Sequence, residues 1–282
     1  MPLEFKYLPK KGGARFKDVS TYQVLCDDPN NFKGIKSLKS ADEVGSGPNE
    51  FTHVLLSKIA HKQEKCIIKI HRAENPFLSK EIGIMSQLSN YKNIVQIVCT
   101  FNCKGTKDMF MKHIEKPMKH LCSSHGDVDL TFIVMEYIAN GDVEQVLSMN
   151  NKPKLQSLIL QTAFIIIELG TLFNVFHGDL NSGNILVKTT NKKTLSYTVY
   201  GKEHIVETVG IRPVLIDFGR GGYYDPRSKN KRNIIEDILT MLLVFSSYIV
   251  IPELKDAMRK IATKYTKSTN IDNLLLDIHN MF

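Results

Sequence analysis

The chain has 282 residues, of which 43% are hydrophobic and 23% charged, with a formal net charge of +8. That length and balance exclude a disordered segment and a miniprotein, and they are compatible with a chain of two lobes. The longest apolar runs, Ser157–Ile167 and Ile238–Ile251, are too short to span a bilayer and predict buried helices rather than transmembrane segments.

The N-terminal MPLEFKYLPKK lacks an apolar stretch that would mark it for secretion, so an intracellular protein is expected. Five cysteines, at 26, 66, 99, 103 and 122, have no framework spacing and suit a reducing compartment. The positive balance favours acidic partners, whether nucleotide, nucleic acid, membrane surface or protein, and decides nothing among them.

In chain order, residues 1–40 are rich in Lys, Gly and Asn with weak periodicity, and read as a basic N-terminal extension. From Ala41 the pattern becomes strand-like, with EVGSGPNEFTHVLLSKIA and CIIKIHR separated by the polar HKQEK. LSKEIGIMSQLSNY then carries Ile82, Met85 and Leu88 at helical spacing, followed by strands NIVQIVCTF and LTFIVMEYI. Two helices are predicted next, DVEQVLSM and the long KLQSLILQTAFIIIELGTLFNVF. NILVK, a hairpin through LSYTVYGKEHIVETV, and RPVLIDFG read as strands. The remainder is helical, with IIEDILTMLLVFSS and a last helix near Ile271–Met281.

The residues that carry chemistry lie in HGDLNSGNILV (His177–Val187) and in LIDFG (Leu215–Gly219). Phosphoryl transfer needs a nucleophile held in line and a divalent metal on the phosphates, with little covalent chemistry from the protein. Asp179 fits an aspartate that accepts the hydroxyl proton. Asn184, five residues on, fits a metal ligand. Asp217, in a tight turn ending at Gly219, fits a second metal ligand that chelates across the phosphates.

These motifs resemble the protein kinase-like superfamily over about Val44 to Ser247. The resemblance implies a two-lobed α+β fold with a five-stranded, β-rich N-lobe over 41–138 and a reduced helical C-lobe over 139–282. It implies ATP and Mg²⁺ (or Mn²⁺) as cofactors, with Lys69 holding the α- and β-phosphates and Glu81 fixing that lysine. Met135–Ile138 resembles the gatekeeper and hinge, so the backbone of Glu136 and Ile138 would meet adenine, and Asp142 would meet ribose. Gly45 and Gly47 stand in the glycine-rich loop, whose third glycine position holds Glu50. A carboxylate there would repel phosphates.

Other departures bear on substrate. Gly178 stands where many eukaryotic protein kinases carry an arginine, and Asn181 replaces a common lysine. Only residues 220–236 separate Gly219 from Asp237, which resembles the buried aspartate of the following helix and leaves a truncated activation segment. The stretch of about thirty residues between Asn184 and Asp217 exceeds what a hairpin needs, and with IDFGRGG resembles kinases of large eukaryotic DNA viruses. The host cytoplasm and virion are the locations that likeness implies.

The favoured acceptor is Ser/Thr of a protein, and the basic run Arg227, Lys229, Lys231 and Arg232 would attract an acidic one. A small-molecule kinase of the aminoglycoside or sugar type and a pseudokinase that binds partners are the alternatives. Cys99, Cys103, Cys122 and His125 could together hold zinc, though their spacing is loose. Nucleic acid is not indicated, and the oligomeric state is not legible.

Overall fold

The computed structural model describes residues 65–105, 126–139, 141–224, 232–268 and 270–282, together with the strands Phe32–Ser40 and Thr52–Ile59. The chain divides into two compact units, Met1–Tyr137 and Ile138–Phe282. Strands dominate the first and helices the second, an α+β arrangement consistent with a kinase-like fold.

The first unit is built on a five-stranded antiparallel sheet in the order β1-β2-β3-β5-β4. Its strands are β1 (Phe32–Ser40), β2 (Thr52–Ile59), β3 (Lys65–Arg72), β4 (Ile97–Gly105) and β5 (Val128–Glu136). The first strand falls inside the stretch read as an extension. FKGIKSLKS alternates only weakly, and its pairing with β2 supplies the order that its own pattern lacks. Gly45, Gly47 and Glu50 lie outside the described residues.

The central strands are covered on both faces. Ile68, Ile70, Phe132, Ile133 and Val134 are all at most 1% exposed. Phe101 of β4 stacks on Phe132 of β5 at 4.6 Å between ring centroids. The one described helix of this unit, α1 (Leu78–Gln87), follows β3. Its buried residues are Leu78, Glu81, Ile84 and Met85, while Ile82 is only half-buried. The inward stripe therefore runs one position away from that expected through Ile82. It includes a glutamate because Lys69 and His71 on β3 receive it.

The second unit is organised around α3 (Lys152–Leu172), which follows the short α2 (Val143–Leu147). Asn151 caps α3 by accepting from Lys154 N at 3.0 Å, and Pro153 occupies the first turn, where a missing N–H costs nothing. This helix is long and apolar enough to cross a membrane, but 83% of its apolar window is buried within the protein. It ends earlier than the sequence pattern suggests. Asn174 takes φ 55°, a left-handed conformation that breaks the helical path, and Val175–Phe176 then form strand β6.

Beyond it lie β7 (Ile185–Thr189), β8 (Thr194–Val199), β9 (Lys202–Glu207), β10 (Ile211–Leu215) and β11 (Gly222–Tyr223), forming the pairs β7–β10, β8–β9 and β6–β11. Helices α4 (Arg232–Tyr248), α5 (Pro252–Tyr265) and α6 (Ile271–Asn280) complete the unit.

The long stretch between Asn184 and Asp217 has a structural use. Its β8–β9 hairpin turns through Tyr200 (φ 49°) and Gly201 (φ 77°), the two positive values that match the twist of a tight hairpin. The hairpin clamps α3 by buried polar contacts. Tyr197 is 1% exposed, and its hydroxyl donates to Gln161 Oε1 at 3.1 Å. Gln161 Nε2 donates in turn to Ser157 Oγ at 2.8 Å and to the Ile211 carbonyl at 3.1 Å. Phe164 stacks on Tyr197 at 5.6 Å.

Removing the Tyr197 hydroxyl in Tyr197→Phe leaves a buried acceptor on Gln161 and is expected to cost about 1–3 kcal/mol. Tyr197→Ala should cost about 3–5 kcal/mol, because a large ring leaves a cavity. Denaturant unfolding of both variants checks the ranking. A Phe variant as stable as the parent would show that the hydroxyl contact contributes nothing.

Candidate active site

In the first unit, Lys69 and Glu81 meet. Lys69 Nζ donates to Glu81 Oε1 at 2.7 Å, with the lysine residue 7% and the glutamate 2% exposed. Burial of two opposite charges is tolerable only with such close pairing, and removal of either partner strands the other. Glu81 Oε2 also lies 3.6 Å from His71 Nε2.

At the end of this unit, the Glu136 N–H donates to the Gln96 carbonyl at 3.0 Å, and Glu136 Oε1 accepts from Gln96 N at 3.2 Å. The Glu136 N–H is thereby engaged, and of the backbone groups expected to meet adenine there its carbonyl is the one this bond leaves. Cys99 and Cys103 both lie in β4, and each takes part in a disulfide, which removes their thiolates from any zinc set; Cys122 and His125 lie outside the described residues. Among the described residues no cluster of His, Cys, Asp or Glu could hold a metal by itself.

In the second unit, the loop from His177 to Asn184 is held from behind by α4. Asp237 Oδ2 accepts from His177 N at 2.6 Å, and Oδ1 accepts from Gly178 N at 2.9 Å. Burial pushes the Asp237 carboxyl above its ordinary range, while His177 and the two backbone donors oppose that rise. Gly178 is required locally: it takes φ 75°, and an added Cβ would sit 2.5 Å from the Arg220 carbonyl oxygen. No arginine fits there, whatever the substrate.

His177, which the sequence reading left without a role, ties the loop to the second aspartate's strand. Asp179 N donates to its Nδ1 at 3.3 Å, so the ring proton sits on Nε2, which donates to the Ile216 carbonyl at 2.8 Å. The ring also packs against Phe218 at 4.6 Å.

Asn184 Nδ2 donates to the Asp179 carbonyl at 2.7 Å and lies 3.4 Å from Asp179 Oδ2. The Asn184 carbonyl accepts from Ile216 N at 3.0 Å, which brings the asparagine next to the turn bearing Asp217. Asp217 has φ 63°, and its Oδ1 accepts from Gly219 N at 3.2 Å. With its amide nitrogen committed to Asp179, Asn184 presents Oδ1 as its donor atom. A side-chain carbonyl and a carboxylate are the hard oxygen ligands that Mg²⁺ or Mn²⁺ takes, so these residues fit the ion.

Further contacts of the loop were not legible in the sequence. Arg220 Nε lies 3.9 Å from Asp179 Oδ2, an exposed pair of small energetic weight. Ser182 Oγ donates to Glu144 Oε1 at 2.7 Å and lies 3.1 Å from the Tyr248 hydroxyl. Asp142 caps α2, accepting from Glu144 N at 2.9 Å, which ties one oxygen of the carboxylate expected at ribose. Asn181 N folds back onto the Asp179 carbonyl at 2.9 Å. Ile138, the other hinge position, is buried at the start of this unit. Of the basic run, Arg232 opens α4, and Arg227, Lys229 and Lys231 lie outside the described residues.

Comparison with known proteins agrees with this geometry. A family model described as the ABC1 atypical kinase-like domain matches residues 128–265, which is 138 of 282 residues. Serine/threonine-protein kinase haspin of Mus musculus is 30% identical over 92 residues, and that of Bos taurus 32% identical over 92 residues. Each alignment covers 32% of this chain, and the chain spans 12% of the length of these relatives. Both matches support a protein kinase-like superfamily. The ABC1 match includes Asp179, Asn184, Asp217 and Asp237, and begins beyond Lys69 and Glu81.

Replacing Asp237 by Asn is expected to destabilise the chain by about 1.5–3 kcal/mol, since an amide NH₂ would face one of the two backbone donors. Chemical unfolding measures the loss. A variant within error of the parent would mean that Asp237 does not hold the loop.

Proposed function

We propose that the chain is an ATP- and Mg²⁺-dependent protein kinase acting on Ser or Thr, with Asp179 as the base. The observation that carries this reading is the junction of Asp179, Asn184 and Asp217, made by the Asn184 side chain and backbone on a loop pinned by Asp237. The buried Lys69–Glu81 pair supports it independently.

In this mechanism the acceptor oxygen attacks the γ-phosphorus, its proton passes to the Asp179 carboxylate, and the bond to the β,γ-bridging oxygen breaks to release ADP. Asn184 and Asp217 would hold the divalent ion, which when bound neutralises charge on the phosphates. Lys69, held by Glu81, stabilises negative charge as it grows. The likeness to haspin, a serine/threonine-protein kinase, supports a Ser/Thr acceptor, and the net charge of +8 supports an acidic one. The likeness to kinases of large DNA viruses rests on the hairpin insertion and IDFGRGG, and a host-cell location belongs to that same reading.

The short segment 220–236 favours a second reading, a small-molecule kinase, because it leaves little chain for a peptide platform. Incubation with γ-labelled ATP, Mg²⁺ or Mn²⁺, and casein, basic protein or sugars separates the two. Label on sugars alone would replace the protein-kinase reading, and label on nothing would favour a partner-binding pseudokinase.

Lys69→Met should lower turnover far more than ATP affinity, because a fixed ammonium contributes most to the transition state. Glu81→Ala should follow it more mildly. Steady-state kinetics against ATP decide this, and near-parental turnover in Lys69→Met would remove the lysine from the mechanism.

Asp179→Asn keeps the size of the side chain but removes the proton acceptor, and should cost roughly two to four orders of magnitude in rate. Its ATP·Mg²⁺ affinity should change little, whereas Asp217→Ala should weaken metal-dependent nucleotide binding and abolish transfer. A thermal-shift titration beside a transfer assay resolves the two roles. Parental turnover in Asp179→Asn would sink the mechanism.

A further inference from the structure

Glu81 is a buried carboxylate with two oxygens, and Lys69 accounts for one of them. The second faces His71, which lies two residues past Lys69 on β3 and therefore projects from the same face of the strand. His71 is 1% exposed, and its Nε2 stands 3.6 Å from Glu81 Oε2. That separation is an electrostatic contact rather than a hydrogen bond. Its sign depends on which ring nitrogen carries the proton: an N–H attracts the carboxylate, and a lone pair repels it.

The neighbouring Asn75 decides the matter. Asn75 lies in the short link from β3 to α1, 8% exposed. Its Oδ1 accepts from Phe77 N at 3.0 Å, and since a backbone N–H can only donate, the orientation of the amide is fixed. The other end of that amide, Nδ2, is therefore the group 2.8 Å from His71 Nδ1. An NH₂ can only donate, so Nδ1 must accept, and the proton of the neutral ring must sit on Nε2. That nitrogen faces Glu81.

Asn75 is itself held in place, its N donating to the Arg72 carbonyl at 3.0 Å and its carbonyl accepting from Leu78 N at 3.2 Å. The relay thus runs from the start of α1, through Asn75 and His71, to the glutamate that α1 carries.

We propose that His71, locked by Asn75 as the Nε2–H tautomer, is a positioning residue that steers Glu81 so that its other oxygen holds Lys69. The proposal rests on the phosphotransferase reading for its kinetic consequence, but the arrangement itself is open to a separate measurement. A histidine that merely filled space would be replaceable by any apolar residue of similar volume, and its tautomer would not matter to Glu81.

The test uses the full chain labelled with ¹⁵N-histidine, with the His71 ring signals identified by their absence from His71→Gln. At neutral pH the ring should be neutral with its proton on Nε2. Asn75→Asp, which places an acceptor where the donor stood, should put a proton on Nδ1. Glu81→Gln should shift the Nε2 resonance.

In a transfer assay His71→Leu should lower kcat by about tenfold to a hundredfold, the scale of a small misplacement near reacting groups. His71→Gln, whose amide N–H can reach the same oxygen, should recover most of that loss at a similar Tm. A proton on Nδ1 in the parent, or a resonance indifferent to Glu81→Gln, overturns the proposal. So do Leu and Gln variants of equal kcat. Absence of any transfer by the parent would instead overturn the phosphotransferase reading, and the ring resonances would still decide the fate of His71.

Discussion

The second unit depends on one carboxylate. Asp237 sits 5% exposed on α4 and accepts from two consecutive backbone N–H groups, those of His177 and Gly178. A carboxylate in that position is costly to desolvate, and two donors aligned on its two oxygens offset the cost only if the loop keeps its shape. That shape includes a left-handed Gly178 packed against the Arg220 carbonyl. The segment after Asp217 and the segment before Asp179 therefore constrain each other through backbone contacts. The same constraint lets ordinary hydrogen bonds link His177, Asn184 and Ile216.

A comparable arrangement governs the first unit. Glu81 occupies a position on the buried stripe of α1 that an apolar residue would normally fill. Two cationic or N–H groups on β3 compensate it, one at each oxygen. The helix is thereby indexed to the strand by charge as well as by the packing of Leu78, Ile84 and Met85. Apolar packing alone tolerates small slides along the helix axis, whereas a buried ion pair does not. The same pair that fixes α1 also fixes the ammonium of Lys69.

The hairpin between the two metal-binding candidates shows how an insertion can be structural. Its Tyr197 and the backbone of Thr198 meet Gln161 and Glu168, polar residues of the apolar helix α3. That accounts for an α3 apolar enough to resemble a membrane span and yet mostly enclosed by protein. That helix stops at Leu172, before its apolar pattern ends. Asn174 turns the chain so that Val175–Phe176 can pair with Gly222–Tyr223.

Much of this was legible in the residues alone, because local order and short motifs report local chemistry. The apolar runs of β3 and β5, the Asp179–Asn184 spacing and the aspartate of LIDFG each depend on a few neighbouring residues, and the lysine–glutamate pair followed from the resemblance those motifs carry. Three-dimensional contact decided the rest. The weak pattern of Phe32–Ser40 became a strand because β2 paired with it, and the buried stripe of α1 passed through Glu81 because Lys69 and His71 awaited it on β3. Gly178 looked like a missing arginine, and proved to be a backbone requirement set by a carbonyl 42 residues on. The proton on His71 is fixed by an asparagine whose orientation is fixed by Phe77 N. Such facts depend on directions of donors and acceptors in space, which residue order alone does not encode.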